Sequence, residues 1–211
     1  MDILYVSCSP RGRDSESRRL AREIIARLRE GWPAATVVER CLNGADGLLP
    51  VDEDYALSQH LSEDVSQQGT AAQSETLIRE LEQADVVVIA TPMHNFTVPA
   101  ALKSWIDHVV RVRRTFNVSP EGKVGLLRDR PVLVAVSSGG RFSGERARQP
   151  DFLTPYLKAV LGIIGLHDLT FFAIQGAAFG AEFLAEARIE ANQALQVHFS
   201  SFGHPFPDAG A

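Results

Sequence analysis

Cysteine is almost absent from this 211-residue chain: only Cys8 and Cys41 occur. Two thiols build no disulfide framework and fit a reducing compartment, so the cytoplasm is the expected location. No apolar run reaches 18 residues, which excludes a membrane-spanning helix by hydropathy. The chain enters a strand-like run at once, with no basic stretch and apolar stretch of the kind that directs export. Charge of one sign is not in large excess, with a net charge of −5. The one tight basic cluster, Arg111, Arg113 and Arg114, is too short to mark a nucleic-acid surface. Neither a Gly-x-x-x-x-Gly-Lys-Ser/Thr loop nor a Gly-x-Gly-x-x-Gly fingerprint occurs, so triphosphate and dinucleotide motifs are both missing. No repeat, low-complexity tract or linker divides the chain, and residues 1–211 read as one domain. An apolar content of 45% and a charged content of 22% suit an ordinary globular core.

What is present is an alternation of strands and helices. Strand-like runs lie at 3–7, 36–40, 85–90, 132–137 and 169–175. Val86-Val-Val-Ile-Ala90 and Val132-Leu-Val-Ala-Val136 are continuously apolar, as strands covered on both faces must be. Helical periodicity occupies 16–30, 73–83, a segment opened by Pro99, 152–165 and 180–198. Residues 41–72 read as a polar loop holding one short helix. The pattern predicts an α/β fold: a doubly wound, five-stranded parallel sheet with helices on both faces. In such folds the ligand sits outside the carboxyl ends of the strands.

Three strand ends carry suitable chemistry. Ser9-Pro-Arg-Gly-Arg-Asp-Ser-Glu-Ser17 runs from the first strand into a helix. Its hydroxyls, the unpaired first-turn amides and the helix dipole together favour an anion, and the absence of a committed lysine suits a mononucleotide such as FMN. The same residues would also serve as an ordinary helix cap. Thr91-Pro-Met-His-Asn-Phe-Thr-Val-Pro99 offers a thioether, an imidazole, an amide and a ring to clasp a flat heteroaromatic. Ser137-Ser-Gly-Gly140 lets backbone amides approach without a Cβ in the way. Turn chemistry alone would explain one such loop; three at one edge favour a flavin site.

These segments, with Leu102-Lys-Ser-Trp-Ile-Asp107, Thr115-Phe116, Leu153-Thr-Pro-Tyr-Leu157 and Leu161-Gly-Ile-Ile-Gly165, resemble the FMN-dependent NADH-azoreductases, also called FMN-dependent NADH:quinone oxidoreductases, of the flavodoxin-like fold. The resemblance spans nearly the whole chain. It implies a homodimer with two sites at the subunit interface, in which NADH or NADPH reduces FMN and the reduced flavin then reduces a quinone or an azo compound. It also implies that Ser9, Ser15, Glu16 and Ser17 bind the FMN phosphate. Pro92, Met93, His94, Asn95 and Phe96, with Ser137, Ser138, Gly139 and Gly140, would meet the ring and ribityl chain, and Phe116 would act as a lid over the neighbouring subunit's flavin. An FMN-binding electron carrier or redox sensor of the same fold is the rival, although carriers are smaller and more acidic.

Three positions depart from the family pattern: His94 stands where Tyr is common, Glu16 for Gln and Ser138 for Arg. The expectation for Glu16 is that its carboxylate faces solvent, offset by Arg11 or Arg13. No catalytic side chain is named, because hydride transfer from a nicotinamide needs orientation rather than a general acid. Cys8 reads as a small buried filler. His60, His108 and His198 fall on polar faces or loops, His167 and His204 lie near turns, and no metal site is expected. The Trp105 stripe is expected to serve the core with half its width and the same helix of a partner with the rest.

Overall fold

The computed structural model describes residues 1–43, 47–59 and 69–201. In chain order the elements are β1 (Asp2–Ser7), a single 3-10 turn (Gly12–Asp14), α1 (Glu16–Gly31), β2 (Thr36–Cys41), α2 (Glu53–Ser58), α3 (Gly69–Gln83), β3 (Val86–Pro92) and α4 (Ala100–Val109). They continue with β4 (Phe116–Ser119), β5 (Gly122–Gly125), β6 (Val132–Ser138), α5 (Leu153–Ile163), β7 (Leu169–Gln175) and α6 (Ala181–Ser201).

The main sheet has the order β2-β1-β3-β6-β7 and every pairing in it is parallel. Ser7 pairs with Cys41 and with Ala90, and Ser138 pairs with Gln175, so the strands finish along one edge. The chain leaves β1 towards β2 and returns on the other side of β1 as β3. That reversal is a topological switch point, the place where such sheets open a crevice.

Alternate residues of each strand feed two separate cores. Ile3, Tyr5, Val86, Val88, Leu133 and Ala135 meet Leu20, Ile24 and Leu28 of α1 and Ala187, Ala191 and Leu195 of α6. Leu4, Val6, Val87, Ile89, Val134 and Val136 face the opposite way, towards α3, α4 and α5. Helices on both sides account for the continuously apolar central strands.

The five expected strands are present within two residues of their predicted bounds. Pro99 stands at the cap of α4, in extended geometry, rather than inside its first turn. The β4–β5 hairpin was not foreseen. Of the Trp105 stripe, Leu102, Trp105, Ile106 and Val109 are buried in the chain's own core, while Val110 is half-buried against it, so more than half of the stripe's width serves the core. His108 is likewise fully buried rather than on a polar face, because the segment ahead of α2 covers it and its Nε2 lies 2.9 Å from the Leu49 carbonyl oxygen. His198 turns inward too, edge-on to Phe172 at 5.3 Å. His60 and His204 lie outside the described residues.

Candidate functional site

The first strand-end loop is built from its backbone outward. Cys8 ends the β1 ladder by donating its N–H to the Ala90 carbonyl at 3.1 Å, and its thiol donates to the same oxygen at 3.2 Å. Burial pushes that thiol up to about 12, so Cys8 is a packing residue and not a nucleophile. The chain then rises through Ser9, whose Oγ accepts from the Arg11 amide, and turns at Gly12 with a φ of +55°. Ser15 caps α1: its Oγ accepts from the Arg18 N–H at 3.4 Å and lies 3.0 Å from the Ser17 Oγ, while its carbonyl takes the Arg19 N–H. This leaves the amides of Glu16 and Ser17 at a helix end that carries partial positive charge.

Glu16 does not face solvent as expected; its partners are Arg188 and Arg19, and the Arg13 side chain lies outside the described residues. The carboxylate accepts from Nε of Arg188, on α6, at 3.0 Å, pairs with the same guanidinium through Nη2, and accepts from Arg19 Nε at 3.2 Å. The Arg188 hydrogen bonds, aided by Arg19, hold it below the usual glutamate range despite partial burial. A negative side chain in the first turn of α1 is thereby paired with Arg19 and with a residue 172 positions away in the chain.

The second loop is a tight hairpin. His94 and Thr97 exchange both backbone hydrogen bonds, at 2.9 and 3.0 Å, and the two residues between them have positive φ, +48° at Asn95 and +70° at Phe96. Its base is locked to the third loop by the Met93 amide, which donates to the Ser137 carbonyl at 2.8 Å. The third loop continues β6 against the chain beyond β7: Ala177 and Ala178 donate to the carbonyls of Ser138 and Gly139. Gln175 then accepts from the amides of Phe142 and Ser143, fixing the path after the glycine pair.

These loops enclose a cleft of about 230 Å³. One wall is Ser9, Pro10, Arg11, Ser15 and Glu16; the facing wall is Pro92, Met93 and His94 with Ser137, Ser138 and Gly139. The structure thus brings most of the expected residues together. Ser17 stands behind Ser15, fully buried, while Asn95, Phe96 and Gly140 lie on the same loops outside the lining. Phe116 is not in this cleft; it is 8% exposed, packed on its own core with Lys123 Nζ 5.1 Å from its ring centroid. Ala177 and Ala178 line the cleft but were not anticipated. Extending the strand-end rule to the fifth strand, which stops at Gln175-Gly176, would have found them.

Chemically the cleft is two-ended. Buried hydroxyls and helix amides at one end suit a phosphate. The Met93 thioether and a glycine-bearing backbone at the other suit the face and edge of a flat ring. Among the described residues no group of three His, Cys, Asp or Glu side chains is placed to hold a metal ion, and no helix is long and apolar enough to cross a membrane.

Comparison with known proteins agrees with this architecture. A family model described as flavodoxin-like fold matches residues 1–199. The chain is 52% identical over 198 residues to FMN-dependent NADH:quinone oxidoreductase 4 of Pseudomonas fluorescens, covering 93% of this chain and 94% of that one. It is 53% identical over 177 residues to FMN-dependent NADH:quinone oxidoreductase 5 of Burkholderia lata, covering 84% and 86%. Among solved structures, the azoreductase of Bacillus anthracis superposes with a TM-score of 0.78 at 25% identity, over 93% of this chain and 99% of that one.

Proposed function

Because this chain belongs to the flavodoxin-like family and, within it, to the FMN-dependent NADH:quinone oxidoreductases, we propose that it reduces quinones and azo compounds with electrons from NADH or NADPH through bound FMN. The observation that carries the reading is the two-ended cleft at the switch point, with hydroxyls and a helix N-terminus facing a thioether and a Gly-Gly backbone. The chemistry that FMN supplies when bound is uptake of two electrons from a nicotinamide and their later release to the acceptor, in ping-pong order.

The protein's part is binding and orientation. Ser9 and Ser15, with Ser17 behind Ser15 and the amides of Glu16 and Ser17, hold the phosphate, and Arg188 keeps the Glu16 carboxylate from repelling it. Pro92, Met93, His94, Asn95 and Phe96 take the ring and ribityl chain from one side; Ser137, Ser138, Gly139 and Gly140 take it from the other. Glycine at 139 keeps the turn against Ala178 clear, since a Cβ there would stand 3.3 Å from the Ala178 Cβ. No side chain is required to move a proton for hydride transfer, so none is assigned as catalytic.

Residues 1–211 act as one FMN-binding domain, and the working molecule is a homodimer in the cytoplasm. One subunit's cleft is smaller than the roughly 300–1,000 Å³ that encloses a ligand of cofactor size. Phe96 and Phe152, joined by a 3.0 Å backbone hydrogen bond, are 43% and 59% exposed on the loops beside it. A second copy would cover them and complete the walls, with the hairpin that begins at Phe116 closing over the neighbour's site. Two free thiols agree with a reducing compartment.

Anaerobic stopped-flow absorbance tests the reading. Protein loaded with FMN should bleach in the flavin band on mixing with NADH or NADPH and regain its colour on adding a benzoquinone. Flavin that binds but is reduced by neither nicotinamide would turn the assignment towards an electron carrier.

A further inference from the structure

Met93 and Ser138 belong to different strand-end loops, yet they share a partner that neither strand supplies. Gln149 lies in the stretch between β6 and α5, where the amides of Arg148 and Gln149 donate back to the Arg141 carbonyl at 2.9 and 3.3 Å. This return carries the Gln149 side chain over Gly140 so closely that a Cβ there would sit 2.0 Å from its Oε1. Its Nε2 then donates to Ser138 Oγ at 3.1 Å and reaches Met93 Sδ at 3.2 Å. Met93 and Ser138 line the cleft; Gln149 does not, and stands behind the wall they form.

The direction of these bonds matters. An amide nitrogen can only donate, so Gln149 occupies a lone pair of the Ser138 oxygen and leaves that hydroxyl its proton to give. Among the described residues its acceptor is Met93 Sδ at 3.9 Å, a weak acceptor at long range that Gln149 already engages. Ser138 also lines the cleft, where a bound ligand would offer a better acceptor. We propose that Gln149 is a positioning residue that sets Ser138 as a hydrogen-bond donor into the cleft while holding the Met93 thioether beside it. The inference rests on the FMN reading above. A donor fixed at the ring end favours the form of the cofactor that carries more negative charge, so the protein binds reduced FMN more tightly relative to oxidised FMN than it would without Gln149.

The test is the ratio of dissociation constants for oxidised and reduced FMN, from fluorescence titration of the oxidised form and the midpoint potential of the bound form. Gln149→Leu keeps the bulk and removes the donor. It should lower the oxidised-to-reduced ratio about tenfold, the size expected for a hydrogen bond to a charged acceptor. That corresponds to a fall of about 30 mV in a two-electron potential. Gly140→Ala should reproduce the shift with Gln149 still present, because the new Cβ meets the movable end of that side chain. In a Ser138→Ala background, Gln149→Leu should add nothing. An unchanged ratio in Gln149→Leu, or an equal shift with and without Ser138, would overturn the proposal while leaving the FMN reading intact. Failure of the wild-type protein to bind oxidised FMN would instead remove the cofactor reading, and the proposal with it.

Discussion

Phe96 sits in a backbone conformation that residues with a Cβ avoid. With Asn95 at +48° and Phe96 at +70°, the His94–Thr97 hairpin has both central residues left-handed, a geometry that prefers Asn followed by Gly. Asn95 fits that preference and Phe96 does not. A bulky residue there costs about 1–2 kcal/mol, which points to a use for the ring rather than for the turn. Phe96→Gly should therefore leave the thermal midpoint of the apo protein unchanged or slightly higher, while weakening FMN binding about five- to tenfold. Differential scanning fluorimetry and flavin fluorescence titration would read both. A lower midpoint with undiminished FMN affinity would mean that the ring merely packs. His108 teaches the complementary lesson. A helical wheel places it on a polar face, but the Leu49 carbonyl covers that face from the preceding segment, and a polar residue with a partner buries without difficulty.

At the scale of elements, the pairing of α6 with the first turn of α1 through Arg188 and Glu16 is the feature with the clearest chemical consequence. Glu16 has a lowered pKa in the folded protein, chiefly from the Arg188 hydrogen bonds and then from Arg19. A depressed carboxylate contributes stability that is complete above its ordinary value of 4.5 and is lost as the pH falls through the lowered one. The midpoint difference between wild type and Glu16→Gln should thus be present at pH 7 and shrink below about 4.5; a difference independent of pH would refute the pairing as its source. Arg188→Ala should weaken FMN binding about two- to fivefold by leaving the Glu16 carboxylate to Arg19 alone beside the phosphate. Adding Glu16→Gln to that variant should restore the affinity. The β4–β5 hairpin shows the limit of local reading. Its strands are four residues each, exposed along most of their length, and Gly125 packs so closely on the Gly165 backbone that no Cβ could fit. Nothing in Phe116-Asn-Val-Ser119 or Gly122-Lys-Val-Gly125 gives a short exposed pair a buried alternation to detect.

For the whole molecule, the outstanding matter is how the open cleft is completed. Most of the α4 stripe lies in the core, so the proposed dimer is centred on the exposed rings of Phe96 and Phe152 beside the cleft. Light scattering coupled to gel filtration should give twice the 23.0 kDa chain mass. Phe152→Asp should shift the protein towards monomer and weaken FMN binding in parallel, since an unpaired charge would be buried at that contact. A monomeric wild type with full FMN affinity would show that one subunit suffices.

The sequence by itself determined the parallel sheet and the edge where the ligand chemistry collects. Those features follow from short-range periodicity: Val86–Ala90 and Val132–Val136 are apolar without interruption, and loops rich in Ser, Gly and Pro can stand only at their ends. Most residues of the cleft walls were legible for the same reason. Only the tertiary structure decided which distant groups finish the site: Arg188 on Glu16, and Gln149 behind Met93 and Ser138. Each of these depends on where the helices and returning loops come to rest against the sheet. Such a contact is chosen by packing of the whole chain, and no local pattern of polar and apolar residues encodes it.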